Sequence, residues 1–168
     1  MRFIDFTDAL LTEGRSQKHV RALTMVELIL AVAIIGVLGA IAVPVYDGYI
    51  DNARNSAAVA GIREIEGKIA SFMAERGNPP DTLDEGGIST QLDPWGRPYQ
   101  YLRLQGVDKK DLHGAWRRDR FTNPLNTDFD LYSMGKDGAS KPPLTNPVSH
   151  DDIVRANNGA FIGLASDY

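Results

Sequence analysis

Three aspartates in the C-terminal third have the residue type and the spacing that suit a hard cation. Asp137 stands before Gly138, and Asp151 and Asp152 follow a segment, 139–150, that contains three prolines. Carboxylates and backbone carbonyls are the ligands that calcium prefers, and no EF-hand loop is present. A calcium ion here would tie the long loop to the rest of its domain. From spacing alone, a turn at the first aspartate and a surface pair at the other two explain the same residues.

Catalytic chemistry is poorly supported by this sequence. The histidines are His19, His113 and His150, and no two of them have metal-ligand spacing. Neither a nucleophile elbow nor a phosphate-binding glycine loop is present. The sequence therefore favours a protein that is not an enzyme.

A single carboxylate residue immediately precedes a long uncharged stretch. Glu27 precedes a 19-residue window, Leu28–Tyr46, that contains no charged residue. About 20 apolar residues in a helix span the roughly 30 Å hydrocarbon core of a bilayer. A carboxylate at the edge of that core is costly, so Glu27 predicts a partner charge.

Charge on the two sides of this stretch predicts its orientation. Basic residues precede it and mainly acidic residues follow it: Arg15, Lys18 and Arg21 before, and Asp47, Asp51 and Arg54 after. The positive-inside rule then places the N-terminus in the cytoplasm and most of the chain across the membrane.

The apolar helix is expected to continue as an amphipathic one. Between residues 51 and 76, apolar residues recur every three or four positions, which is the stripe of a helix with one buried face: Val59, Ile62, Ile65, Ile69, Phe72 and Met73. Gly77 followed by Pro79 and Pro80 predicts its end. Gly36, Gly39 and Pro44 weaken the apolar half.

Short segments separated by turn residues follow the helix. Asp93–Gly96 fits a type I turn. Strands are predicted at 98–104 and 129–134. Ile153 and Val154 are predicted to close the sheet, and the last ten residues to pack as a tail. The predicted fold is α+β, a long N-terminal helix on a small antiparallel sheet. The predicted divisions are a polar leader (1–22), a membrane-spanning half of the helix (23–50), an amphipathic half of the helix (51–78) and a β-sheet domain (79–168).

The composition of the chain limits the classes of partner that it is expected to bind. The net charge is −4, which argues against nucleic acid, and the one basic cluster, 117–120, is interpreted as a solvated loop. The chain has no cysteine, so in an oxidising compartment its stability must come from packing, assembly or a metal.

The sequence around the start of the apolar helix resembles a prepilin cleavage and methylation motif. Leu23-Thr24-Met25-Val26-Glu27 leads into the helix, with Gly36 and Pro44 at the family's usual spacing, and Ala22 and Leu23 stand where glycine and phenylalanine are usual. Asp93-Pro94-Trp95-Gly96, Phe129–Ser133 and Asp137-Gly138 further resemble the G-type major pseudopilins of type II secretion systems, of the type IV pilin-like superfamily.

This resemblance implies a function and a set of sites. Cleavage falls between Ala22 and Leu23, Leu23 is N-methylated, and Glu27 pairs with the methylated amine of a neighbouring subunit during polymerisation. The implied role is a structural subunit, inserted in the inner membrane, that assembles into a helical periplasmic pseudopilus for export of folded proteins. The implied partners are prepilin peptidase, minor pseudopilins, the inner-membrane platform and, before assembly, lipid. The implied calcium ligands are Asp137, Asp151, Asp152 and, more weakly, the Met134 carbonyl.

Two alternatives remain open. The first is a pilin of a type IV pilus or a competence filament. The second is a soluble periplasmic protein whose apolar stretch is a secretory signal, cleaved after Ala42 so that the mature chain begins at Val43. Glu27 and the amphipathic continuation of the helix weigh against the second.

Overall fold

The computed structural model describes residues 23–88 and 91–168. Within them the chain has one long helix, α1 (Met25–Arg76), and four strands, β1 (Gln100–Arg103), β2 (Phe129–Ser133), β3 (Ile153–Ala156) and β4 (Phe161–Leu164). Single 3₁₀ turns lie at Pro147–Ser149, Asn157–Gly159 and Ala165–Asp167. The predicted α+β class, a long N-terminal helix with a small antiparallel sheet, is confirmed.

The strands form a meander in the order β1-β2-β3-β4, with every neighbouring pair antiparallel. Gln100 pairs with Tyr132 in the first ladder, and Ile153 pairs with Leu164 in the last. The strand prediction at Ile153 was right, but its place as the closing strand was wrong. The last ten residues contribute β4, which forms the edge of the sheet beyond β3.

The chain is divided into two compact units, the first ending at Val43 and the second comprising Pro44–Tyr168. In the second unit, one face of the sheet packs against the amphipathic part of α1. The buried side chains of this core are Ala58, Ile62, Ile65, Ile69, Ile88, Tyr99, Phe129, Leu131 and Ile153. The helical stripe predicted from the sequence is therefore the face that the helix buries, although three of its members are only partly buried: Val59, and Phe72 and Met73 in the last turns.

The other face of the sheet carries a second, smaller cluster. Its buried members are Leu125, Leu144, Val154, Ala156 and Ala165. Because side chains alternate along a strand, Ile153 joins the helix-side core while Val154 joins this cluster. Leu125 and Leu144 from loops and Ala165 from a 3₁₀ turn contribute to this face alongside the strand residues.

Arg155 connects the helix to the sheet through buried charge. Its Nε donates to Glu66 of α1 at 2.7 Å, and its Nη2 donates to Asp128 at 2.7 Å. Its guanidinium also lies 4.0 Å from the centre of the Phe129 ring. The two carboxylates and the aromatic ring offset the free-energy cost of burying this cation.

The helix ends where the sequence predicts. The N–H of Gly77 donates to the Met73 carbonyl at 2.7 Å, and Gly77 has a φ of 81°. That left-handed conformation is typical of a glycine just past the last helical residue. Pro79 and Pro80, both buried, follow it.

Two glycines on α1 give a matched test of this packing. A Cβ on Gly61 would overlap the Tyr99 hydroxyl and lie 2.8 Å from Cζ of that ring, whereas Gly67 has open space around it. Gly67→Ala should raise the free energy of unfolding by up to about 1 kcal/mol through helix propensity. Gly61→Ala should lower it by about 1–3 kcal/mol, because the buried Tyr99 ring must shift to make room for the added methyl group.

The measurement is denaturant unfolding of the full chain in detergent, followed by tryptophan fluorescence. Equal stability of the two alanine variants would contradict this packing of Tyr99 against α1.

Candidate functional site

The first turn of α1 contains the residues of the predicted cleavage and assembly motif. The Thr24 hydroxyl accepts the N–H of Glu27 at 3.2 Å, while the Glu27 carboxylate accepts the Thr24 N–H at 2.9 Å and its hydroxyl at 2.8 Å. This reciprocal arrangement is a capping box. Within the described residues Glu27 has no cationic partner. Leu23 is exposed, and Ala22, like the whole predicted leader 1–22, lies outside the described residues.

The apolar part of α1 presents all its side chains outward. Every residue from Leu23 to Tyr49 is exposed, and an 18-residue window of the helix is long and apolar enough to cross a membrane. Gly36 and Gly39 have open space around them, and Pro44 lies inside the continuous helix. An apolar surface of this extent on a single chain needs cover from lipid or from other protein.

The predicted turn before β1 holds the end of β2. The N–H of Gly96 donates to the Asp93 carbonyl at 2.9 Å, which confirms the turn, and Asp93 Oδ2 accepts the hydroxyl of Ser133 at 2.6 Å. Just beyond the turn, the Arg97 guanidinium donates to the carbonyls of Gly135 and Lys136 at 2.6 and 3.0 Å. The loop after β2 is therefore fastened through its backbone oxygens.

Two of the predicted calcium ligands serve as local caps. Asp151 Oδ2 accepts the N–H of Asp137 at 2.9 Å, and Asp137 Oδ1 accepts the N–H of Ala139 at 2.7 Å. The Met134 carbonyl accepts the N–H of Gly138 at 3.2 Å. The fold thus brings Asp137 and Asp151 together, as the prediction required, and gives both of them backbone donors.

Asp152 is placed apart from that pair and has a different partner. Its side chain is 0% exposed, and Oδ2 forms an ion pair with Arg117 at 2.5 Å and accepts the Ser140 hydroxyl at 2.6 Å. Burial raises the pKa of the Asp152 carboxyl, and the hydrogen bond from Ser140 and the charge of Arg117 oppose that rise. Its Oδ1 is buried and accepts no hydrogen bond from the described residues.

These positions do not fit a calcium ion. Calcium takes six to eight oxygen ligands. No group of three acidic or histidine side chains that would hold a metal exists within 23–88 and 91–168. Asp152 Oδ2 is already paired with Arg117, its buried Oδ1 has no partner among the described residues, and the carbonyls of Met134, Gly135 and Lys136 each accept one donor. Calcium binding by this chain stays a prediction, one that the described arrangement does not favour.

Arg117 is the residue that sequence reasoning misplaced. It was assigned to a solvated basic loop, but its side chain is only 2% exposed, which makes that interpretation wrong at this position. Its N–H donates to Asp130 at 2.6 Å, and burial raises the pKa of that aspartate against this hydrogen bond. Its partner Asp152 lies 35 residues away, so no local pattern marks the pair. The cluster's last residue, Arg120, is exposed as predicted.

Comparison with known proteins places this geometry in context. A fimbrial protein of Neisseria meningitidis serogroup A is 23% identical over 148 residues, covering 88% of this chain and 85% of the relative. Type II secretion system core protein G of Pseudomonas aeruginosa is 27% identical over 136 residues, covering 68% of this chain and 82% of the relative. Core protein G of Klebsiella pneumoniae is 25% identical over 154 residues, covering 79% and 91%.

These proteins are homologues of the chain. They indicate a structural subunit of the type IV pilin or type II secretion pseudopilin kind, and they imply self-assembly into a filament. A single apolar helix near the N-terminus is consistent with membrane anchoring. No protein-family model matches the chain. No solved structure matches it either.

The contact between the loop after β2 and Asp151 yields a stability prediction. Gly135 and Gly96 both have positive φ, 60° and 82°, but a Cβ would overlap the Asp151 carbonyl at Gly135 and meet nothing at Gly96. Gly96→Ala should lower the free energy of unfolding by about 1 kcal/mol through its backbone conformation alone. Gly135→Ala should lower it by about 3 kcal/mol, since steric overlap adds to the same conformational cost.

Both variants are compared with the wild-type chain in denaturant unfolding monitored by tryptophan fluorescence. A Gly135→Ala variant as stable as Gly96→Ala would show that the loop does not lie against Asp151.

Proposed function

We propose that the chain is a pseudopilin, a structural subunit that polymerises into the periplasmic pseudopilus of a type II secretion system and so drives export of folded proteins across the outer membrane. The observation that carries this proposal is the division of α1. Its residues up to Tyr49 are exposed and mostly apolar, whereas Ala58, Ile62, Ile65 and Ile69 are fully buried by the sheet. The first part suits lipid before assembly and neighbouring helices afterwards.

The proposed location is the inner membrane, with a single pass. The basic residues before the span and the aspartates after it orient the N-terminus to the cytoplasm and the sheet domain to the periplasm. Prepilin peptidase cleaves between Ala22 and Leu23 in this proposal, and Leu23 is then methylated. Minor pseudopilins and the inner-membrane platform are the proposed assembly partners.

Glu27 is the proposed assembly residue. Its carboxylate accepts hydrogen bonds from Thr24 of its own chain, and these leave its negative charge without a cation among the described residues. The positively charged amine created by cleavage on a neighbouring subunit would supply that cation. An intersubunit ion pair offsets much of the cost of a charge in a low-dielectric surrounding, so pairing favours assembly. Gly36 and Pro44 are proposed to let neighbouring helices approach and the helix adjust within the filament.

A pilin of a type IV pilus is the second candidate. The similarity to the Neisseria fimbrial protein covers 88% of this chain, more than either similarity to a core protein G. Against it stands the lack of any cysteine, because many such pilins close their C-terminal region with a disulfide. The downstream segments that resemble G-type pseudopilins also favour the secretion role.

The test is a gene deletion in the native host, complemented with the wild-type chain, Glu27→Ala or Glu75→Ala. Glu75 is a matched control, an exposed glutamate of α1 without an ion pair in the described part of the chain. We expect deletion to stop release of folded proteins into the medium and to leave surface fibres intact. The wild-type chain and Glu75→Ala should restore release. Glu27→Ala should be inserted and cleaved, but should reduce release at least tenfold because subunits do not pair.

Three results would contradict the proposal in different ways. Loss of surface fibres with normal protein release would identify a type IV pilin. Normal release after deletion, in a host with no parallel system, would remove the secretion role. Full restoration by Glu27→Ala would refute the intersubunit ion pair and leave the filament class untouched.

A further inference from the structure

The guanidinium of Arg117 lies where several separate segments of the domain meet. Its Nη2 contacts Asp152 at 2.5 Å, and its Nη1 donates to the Ser140 hydroxyl at 2.5 Å and to the Lys141 carbonyl at 2.7 Å. Its planar face lies 4.3 Å from the centre of the Tyr132 ring. One buried cation therefore contacts β2, the beginning of the loop 139–150 and the residue that precedes β3.

The backbone around Arg117 reinforces the same connection. The N–H of Arg118 donates to the Pro142 carbonyl at 3.1 Å, and the N–H of Leu144 donates to the Arg118 carbonyl at 2.9 Å. Leu144 belongs to the buried cluster on that face of the sheet. The loop is thus held through its backbone at residues 142–144 and by the guanidinium at its beginning.

The sequence predicts that a calcium ion ties the loop 139–150 to the rest of the domain, and Arg117 makes that connection here. A divalent ion would join the loop to the sheet through carboxylates and carbonyl oxygens. Here the carboxylate of Asp152 and the carbonyl of Lys141 are both bound by a guanidinium, which carries five donors in a fixed plane. Arg97 binds the neighbouring carbonyls of Gly135 and Lys136 in the same manner.

We propose that Arg117 replaces a divalent cation as the clip of this domain, so that the sheet and the loop 139–150 fold and remain stable without calcium. The proposal rests on the contacts of Arg117 and does not depend on which filament the chain builds. It assigns to Arg117 a positioning role: the residue fixes the loop and acts on no ligand.

The test uses the full chain in detergent, with thermal unfolding followed by tryptophan fluorescence. Both tryptophans, Trp95 and Trp116, lie in the sheet-bearing unit, so the signal reports on that unit alone. The wild-type chain is melted in millimolar calcium and in a calcium chelator. Its melting temperature should be the same in both. A fall in the chelator, restored by calcium, would overturn the proposal.

Variants then test the pair directly. Arg117→Met keeps most of the side-chain length but leaves Asp152 buried and unpaired, and should lower the melting temperature by about 10 °C with or without calcium. Arg120→Met, at the exposed arginine three residues on, should leave it unchanged. A decrease for Arg117→Met no larger than that for Arg120→Met would also overturn the proposal.

A double variant separates ion pairing from packing. If Arg117 and Asp152 act as a pair, Arg117→Met combined with Asp152→Asn should lose clearly less than the sum of the two single changes. Additive losses would contradict the pairing. Should Arg117→Met fail to fold, Arg117→Lys keeps the comparison possible. Lysine retains the charge and loses the planar fork, so we expect an intermediate decrease, and an undiminished melting temperature would refute the role of the fork.

Discussion

The structure depends on one apolar surface that the described part of the chain leaves uncovered, the first part of α1. Every side chain there faces outward, and burial of apolar area is worth about 25 cal/mol for each Å² removed from water. Leaving such a helix bare in water is therefore strongly unfavourable, and the chain needs either lipid or copies of itself. Glu27 sharpens this requirement, because its charge makes lipid a poor permanent environment for the first turn and leaves a neighbouring subunit as the better one.

The second compact unit, Pro44–Tyr168, contains the remainder of the same helix, packed against the sheet. Ile62, Ile65 and Ile69 pack against the sheet, and the buried Arg155 of β3 adds one ion pair to the helix, with Glu66, and a second to Asp128. Loops of the sheet-bearing unit are fixed by side-chain cations at two places, Arg97 and Arg117. The chain has no cysteine, and its sheet-bearing unit is held together by packing and by guanidinium contacts.

Much of this was predictable, because the signals are periodic or local. The three-and-four spacing of the isoleucines identified the buried face of α1, and Gly77 with the following prolines identified its end. The segments that became β1 and β2 alternate or stand between turn residues, and they were found within about two residues, the usual uncertainty of element boundaries. The exposed first part of the helix followed from composition alone.

What escaped prediction depends on contacts between distant residues. Strand β4 spans four residues, includes Gly163, and exists because it pairs with β3, so its own sequence gave a weak signal. Arg117 looked like one member of a basic cluster, and only the fold places it against Asp152. The fold brings Asp137 and Asp151 together, whereas Asp152 has an arginine as its partner.

The most direct test of the account is the intact mass and N-terminal sequence of the mature protein isolated from inner membranes. The account predicts a chain that begins with N-methylated Leu23, since only that cut creates the amine that Glu27 needs and keeps the apolar helix in the mature protein. A chain that begins at Val43 and is soluble without detergent would contradict it, because the helix that filament assembly requires would have been removed.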